Sequence, residues 1–120
     1  MQYKQFSEYL EQSDQSLKDL FDAVDVYCIN LGDDVQVKTL KFYQAYKRIK
    51  NFVCEEVRPQ LHHVLLYLKV DPETVALENG FARNVRSVGH FGTGDLEVTI
   101  NNLADLKKAE PLIVASYEAS

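Results

Sequence analysis

The clearest periodic signal in the chain is a stripe of apolar residues that recur every three or four positions after Ser13. This spacing places them on one face of an α-helix of about five turns. Ser13 is predicted to cap the helix, and Gly32 to end it in a left-handed conformation. The stripe consists of Leu17, Leu20, Phe21, Val24, Cys28 and Leu31. A weaker pattern over residues 3–12 allows one or two further turns, so we predict a helical section over residues 1–32.

After Gly32 the apolar period changes from about 3.6 to about 2, which is typical of β-strands. Strands are predicted at residues 35–39, 42–50, 52–57, 62–70 and 96–100. The connections between the first four are too short for crossover helices, so their pairing should be antiparallel. Alternate residues from Val64 to Leu68 are expected to face the helices, which leaves Tyr67 and Lys69 on the opposite face.

The end of the chain predicts a second long helix, over residues 102–118. Asn102 is its expected N-cap, and Pro111 should kink or restart it because proline lacks an N–H. The inward stripe is predicted to be Leu103, Leu106, Ile113 and Tyr117. Residues 71–74 start a helical turn or a loop, while residues 81–88 fit no regular element.

These elements predict a single α+β domain over residues 1–120. Its largely antiparallel sheet of about five strands should have the N- and C-terminal helices packed on one face. No apolar run approaches the roughly 18 residues of a membrane-spanning helix. The two cysteines fall at apolar positions without the paired spacing of zinc sites, so we expect buried, reduced thiols in a cytoplasmic protein. We expect no metal, no cofactor and no membrane partner.

The net charge of −5 is unevenly distributed along the chain. Residues 1–34 carry two Lys and eight Asp or Glu, whereas residues 35–70 carry seven Lys or Arg and two Glu. A basic middle segment of this kind can mark an anionic partner. The simpler alternative, which we favour, is that the lysines occupy solvent-facing positions of strands and prevent pairing with strands of other chains.

The stretch from Gly89 to Asp95, which we name the glycine loop, contains three of the five glycines together with His90. Gly89, Gly92 and Gly94 are predicted to hold positive φ or to leave space for a close approach. Their spacing matches neither a dinucleotide fingerprint nor a P-loop. The alternating residues 96–100 that follow indicate a strand, so no helix N-terminus is available here for a phosphate.

His90 and Asp95 are near enough along the glycine loop for their side chains to meet. One hypothesis is therefore a hydrolytic enzyme that uses this pair beside a nucleophile. The interpretation we favour is that both side chains bond to loop amides and fix the turn. We accordingly predict a candidate binding loop with no catalytic residue.

Basic and aromatic residues of the middle segment are candidates for a nucleic-acid surface. Tyr46 and Arg48 are expected beside Tyr67 and Lys69 on the open face of the sheet, and Lys47 with Arg48 is expected to be an exposed phosphate contact. Rings would stack on bases and cations would meet phosphates. The alternative packs the tyrosines into a second small core. A third hypothesis is a protein-interaction module that uses a sheet edge or the acidic first helix.

Two blocks of sequence carry a resemblance to a known family. The first runs from Gly32 to Val53, the second from Val85 to Val98, and residues 112–118 complete the pattern. They resemble a bacterial domain of unknown function that forms the C-terminal part of proteins labelled "predicted transport protein" and that also occurs beside nuclease-like and restriction modules. The resemblance implies an accessory role, with nucleic acid or a nuclease-type domain as the partner. The transport label finds no support in the chain, because nothing in it predicts a membrane span.

Overall fold

The structure is a computed structural model that describes residues 3–120, and in that part of the chain it contains three α-helices and six β-strands. The helices are α1 (Phe6–Gln12), α2 (Gln15–Ile29) and α3 (Leu103–Glu118). The strands are β1 (Gln36–Thr39), β2 (Gln44–Lys47), β3 (Asn51–Arg58), β4 (His63–Leu68), β5 (Ala82–Asn84) and β6 (Leu96–Ile100). Single turns of 3₁₀ helix lie at Pro59–Leu61 and Pro72–Thr74. The predicted α+β class is confirmed.

All six strands form one antiparallel sheet in the order β1-β2-β3-β4-β6-β5. Four of the five predicted strands begin and end within two residues of their predicted bounds. The sixth, β5, comes from the unassigned residues 81–88 and pairs only with β6. After residue 70 the chain leaves the sheet and forms β5 at its edge. It then returns to form β6, which lies between β4 and β5. The glycine loop lies on that return path, directly before β6.

The helices cover one face of the sheet, as predicted. Leu17 and Val24 of α2 and Ile113 of α3 belong to the same buried cluster as Leu66 of β4. A smaller apolar cluster lies on the opposite face. It consists of Ala45, Cys54, Leu65, Tyr67 and Val85, with Leu40 and Tyr43 packed against it. The sheet therefore has a core on both faces, and the second core lies beneath the glycine loop.

The start and end of α2 differ from the prediction. Asp14 caps the helix, because its carboxylate accepts the Leu17 N–H at 2.9 Å. Ser13 instead follows α1, where its hydroxyl donates to the Tyr9 carbonyl at 2.8 Å. The helix ends at Asn30 rather than Gly32.

The C-terminal helix begins as predicted, since the Asn102 side chain accepts the Asp105 N–H at 2.8 Å. It continues through Pro111 as one element, which agrees with the single helix predicted over residues 102–118 and excludes a restart at Pro111. Leu106 and Ile113 are buried, but Leu103 is 65% exposed. The prediction for Leu103 was wrong because this residue occupies the first helical position, beyond the core.

The predicted strand over residues 42–50 is shorter in the structure. The pairing of β2 with β3 shifts register between Tyr46 and Lys47. The chain then turns, with the Arg48 N–H donating to the Lys50 carbonyl at 3.0 Å. This bulge and turn move residues 48–50 out of the sheet, toward its end.

Glu55 of β3 lies fully buried beneath α2. Its Oε1 accepts from Gln44 Nε2 at 3.4 Å and from the Tyr46 hydroxyl at 3.2 Å, and its Oε2 has no partner among residues 3–120. Burial raises the pKa of Glu55 well above its ordinary value, because a charge is poorly solvated there. Burial therefore favours the uncharged form of this side chain in the folded protein.

Both cysteines are buried and free, as predicted. No helix among residues 3–120 combines the length and the apolar character needed to cross a membrane.

Candidate anion-binding cleft

A cleft of about 640 Å³ opens at the end of the sheet where β2, β3 and β4 meet the glycine loop. Antiparallel pairing places the end of β2 beside the start of β3 and the end of β4, so Lys47 and Lys69 approach the same opening. The lining residues are Lys47, Ile49, Lys50, Asn51, Lys69, Val70, Asp71, Arg86, Thr93, Gly94 and Asp95. We name this site the lysine cleft. Its volume lies within the range of small-molecule sites.

Three ammonium groups in the lysine cleft have no anionic partner. Lys47, Lys50 and Lys69 are exposed, and within residues 3–120 none of them forms an ion pair. Their positive charges are therefore unneutralised at a concave surface, where the field of several like charges adds.

The fourth cation of the cleft, Arg86, already forms ion pairs with two carboxylates of the protein. Its Nη2 lies 3.0 Å from Asp71 Oδ1, and its Nε lies 3.2 Å from Asp95 Oδ2. The hydrogen bonds that Arg86 donates to Asp95 and then to Asp71 raise the pKa of Arg86. The pKa of Asp71 is lowered, first by the Glu73 N–H and then by Arg86. Arg86 thus joins the glycine loop to the segment after β4. Its single charge offsets one of the two carboxylates, so the four cations and two carboxylates of the lining leave the cleft a net charge of 4 − 2 = +2.

Backbone amides of the glycine loop are used within the protein. The Thr93 N–H donates to Cys54 Sγ at 3.3 Å, and the Asp95 N–H donates to the Leu68 carbonyl at 3.1 Å. A P-loop would instead direct such amides at a phosphate. An anion in the lysine cleft would accordingly be held by ammonium groups.

The predicted backbone geometry is confirmed for two of the three loop glycines. Gly92 has φ of +80° and Gly94 has φ of +124°, whereas Gly89 does not have a positive φ. A Cβ on Gly94 would lie 2.8 Å from the carbonyl carbon of Tyr67 and 2.9 Å from the Leu68 nitrogen. The loop can cross β4 this closely only because residue 94 has no side chain.

His90 holds the glycine loop in shape. Its ring stacks on Tyr67 at 4.0 Å between centroids and 5° between planes. Nδ1 lies 3.0 Å from the Phe91 carbonyl oxygen, and Nε2 lies 2.8 Å from the Gly94 carbonyl oxygen. Because carbonyl oxygens only accept, both contacts are hydrogen bonds only when both ring nitrogens carry protons.

The side chains of His90 and Asp95 do not pair. The two ring nitrogens of His90 lie against two loop carbonyls, and the Asp95 carboxylate accepts from Arg86. The hydrolytic hypothesis requires a base that a carboxylate orients toward a nucleophile. That contact is missing here. The interpretation that we favoured expected both side chains to bond to loop amides, whereas His90 contacts loop carbonyls and Asp95 accepts from Arg86, outside the loop.

A similar set of polar groups lies at the start of α2 and does not form a catalytic triad either. His62 Nε2 lies 2.7 Å from Ser16 Oγ and 3.1 Å from Asp14 Oδ1. A triad divides its two contacts between the two ring nitrogens, whereas here serine and aspartate approach the same one. The three side chains form a polar cap on the helix.

The two tyrosines predicted for an open surface are both buried. Tyr46 is paired with Val53, so it points toward the helices, where its hydroxyl donates to Asp25 at 2.7 Å. Its predicted position on the same face as Tyr67 was wrong. Tyr67 lies in the second core, only 4% exposed, and donates to Glu97 at 3.0 Å. Neither ring is free to stack on a base.

Arg48 also lies outside the lysine cleft. Its guanidinium bonds to Asp34 at 3.0 Å, bonds to the Tyr117 carbonyl at 3.3 Å and stacks over the Tyr117 ring at 4.5 Å. It anchors the end of α3 to the loop before β1. Of the predicted binding residues, Lys47, Lys69, Gly94 and Asp95 meet in the cleft.

Sequence reasoning missed Lys50 and Arg86. Lys50 enters the cleft through the turn between β2 and β3, which was predicted as strand. Arg86 lies in the unassigned segment, although it stands within the second block of the family resemblance. The available signal was Asn51, which directly follows Lys50 and is of a residue type common in turns.

Comparison with known proteins extends the resemblance without adding a function. A protein of Haemophilus influenzae described as uncharacterized is 27% identical over 109 residues, which are 91% of this chain and 35% of the relative. The chain therefore spans about one third of the length of that relative. No solved structure matches the chain. Residues 6–120 match the family described as Domain of unknown function (DUF5655), and since this range is nearly the whole chain, the protein belongs to that family.

Proposed function

We propose that the domain is a non-catalytic binding module that holds the phosphate backbone of a nucleic acid in the lysine cleft. The observation that carries this proposal is the convergence of Lys47, Lys50 and Lys69, three exposed cations without a carboxylate partner in the described chain. Lysine acts on a phosphate as a point charge and needs no fixed geometry. A row of phosphates can therefore replace the counterions bound in the cleft without any movement of the protein backbone.

The same geometry favours weak binding without sequence preference. The rings of Tyr46 and Tyr67 are buried, so they supply no stacking, and the lining of the cleft contains no aromatic residue. The net charge of −5 opposes a polyanion at long range. We expect affinity for an isolated domain of roughly micromolar at best, which is ordinary for non-specific binding.

Two adjacent cations provide the test. Lys47 lines the cleft, whereas Arg48 bonds to Asp34 and to the Tyr117 carbonyl at the end of α3. Charge reversal at Lys47 should therefore affect binding, and charge reversal at Arg48 should affect stability. Lys47→Glu should weaken binding by about tenfold and leave the unfolding free energy within about 0.5 kcal/mol. Arg48→Glu should instead destabilise the domain, because it loses its bonds and places a carboxylate beside Asp34.

The assay is fluorescence anisotropy at low salt with labelled single-stranded DNA, RNA and duplex DNA of about 20 nucleotides. Lys107→Glu is the matched control, since it makes the same change in net charge at an exposed position outside the cleft. If Lys47→Glu and Lys107→Glu weaken binding equally, only the net charge matters and the cleft has no role. The absence of binding to all three nucleic acids would also reject the proposal.

A further inference from the structure

A second groove lies on the solvent side of the helical layer, between α2 and α3. Its volume is about 610 Å³, and its lining includes Val26, Tyr27 and Leu106 together with Asp19, Asp22 and Glu110. The floor of the groove is apolar, because Leu106 belongs to the core and Tyr27 packs against it, while Val26 lies on the side of α2 that faces away from the core. We name it the acidic groove.

Apolar side chains are exposed along the acidic groove. Val26 is 56% exposed, and Ile29, one helical turn further along α2, is 40% exposed. Residues three apart on a helix share a face, so the two form a continuous apolar strip. Single exposed apolar residues need no explanation, but a strip beside a groove is typical of an interaction site.

The rim of the acidic groove carries charge of one sign. Asp19, Asp22 and Glu110 contribute carboxylates, and the lining contains no lysine or arginine. In the described chain these three carboxylates form no ion pair. Burial, followed by the Glu110 charge, raises the pKa of Tyr27 at the same site, which agrees with a negative local potential.

We propose that the acidic groove docks a basic amphipathic helix of a partner protein. An amphipathic helix laid in a groove places its apolar side chains against the apolar floor and its polar face outward. Lysines or arginines beside that apolar face would meet the three rim carboxylates and would neutralise a charge that the domain leaves unpaired.

The dimensions of the groove fix the size of the partner helix. Along α2 the lining extends from Asp19 to the C-cap residue Asn30, which corresponds to about 16 Å of helix axis at 1.5 Å per residue. A docked helix of about three turns covers that length. A second copy of this chain would bring the same carboxylates to the contact, and a nucleic acid would bring phosphates, so both are repelled.

The test uses two labelled peptides of about 14 residues with the same leucine and lysine composition. One places leucine at helical spacing, and the other alternates leucine and lysine, which removes the apolar helix face. Anisotropy at about 0.15 M salt reduces attraction that depends on net charge alone. The wild-type domain should bind the helical peptide at least about tenfold more tightly than the alternating one.

Replacing an apolar residue of the groove by aspartate distinguishes docking of the helix from attraction by negative charge alone, because the variant has more negative charge but less apolar surface. Val26→Asp adds a carboxylate to the groove but removes part of its apolar floor, and it should weaken binding of the helical peptide by about tenfold. Val88→Asp is the matched control, because Val88 is 45% exposed and lies outside the groove. It should leave the affinity within about twofold.

Three results would overturn the proposal. Equal or tighter binding by Val26→Asp would show that charge alone attracts the peptide. Equal binding of the two peptides, or binding of neither, would show that the groove does not recognise an amphipathic helix. Self-association of the wild type that Val26→Asp abolishes would place a second copy of the chain in the groove instead.

Discussion

Replacement of Gly94 by alanine tests how the glycine loop is fixed against the sheet. Residue 94 has φ of +124°, and a Cβ there would lie 2.8 to 3.1 Å from backbone atoms of Tyr67 and Leu68. These atoms belong to β4, which pairs with a strand on each side and cannot move aside. The Asp95 N–H also bonds to the Leu68 carbonyl, so the loop cannot withdraw without losing that bond.

Two contributions give the magnitude for Gly94→Ala. The left-handed backbone costs about 1 to 2 kcal/mol for a residue with a Cβ. Insertion of a methyl group into filled space costs about 1 to 3 kcal/mol more. We therefore expect a loss of about 2 to 5 kcal/mol in the free energy of unfolding, a large part of the stability of a small domain.

Other glycines of the same chain separate these contributions. Gly80 has φ of +82°, and a Cβ added there would have no neighbouring atom within 4 Å, so Gly80→Ala should show the backbone cost alone. Gly89 has neither a positive φ nor a close neighbour, and Gly89→Ala should be neutral or slightly stabilising. Urea unfolding followed by circular dichroism gives the three values. A loss for Gly94→Ala no larger than that for Gly80→Ala would refute the contact with β4.

Two further predictions concern buried and half-buried side chains. Glu55→Gln should stabilise the protein at pH 7 by about 1 to 3 kcal/mol, because the unfolded chain ionises Glu55 above about pH 4 while burial in the fold raises its pKa and disfavours the charged carboxylate. The extra stability of the variant should disappear as the pH falls toward 4. Urea unfolding between pH 7 and pH 4 measures this, and a constant difference in unfolding free energy between variant and wild type would contradict the prediction. His90→Ala should cost about 1 to 3 kcal/mol through loss of its stacking and hydrogen bonds while the folded variant still binds nucleic acid. Unchanged melting with abolished binding would instead assign His90 to the binding site.

The sequence predicted the fold class because most elements carry a clean period. Helix α2 and strand β6 were placed within two residues by apolar spacing alone. Strand β5 was missed because it has three residues, of which only Ala82 is buried. So short a segment shows no alternation, and it is a strand only because β6 pairs with it.

The sequence could not show on which face of the sheet the Tyr46 side chain lies. Its orientation depends on the register between β2 and β3, which shifts directly after Tyr46. A slip of one residue moves a side chain to the opposite face of a sheet. Lys47 and Lys69 were recognised as candidates because basic residues stand out in a strand, but their meeting with Lys50 depends on a turn at residues 48–50, where we predicted a continuous strand.

The number of phosphates that the lysine cleft neutralises is the most direct measure of the proposed function. With single-stranded DNA, the logarithm of the association constant should fall linearly with the logarithm of salt concentration, with a slope of roughly −2 for three lysines. Lys50→Gln should reduce the slope by roughly 0.7, and Lys107→Gln, outside the cleft, should leave it unchanged. Equal slopes for the wild type and Lys50→Gln would contradict the assignment of the cleft as the phosphate-binding site.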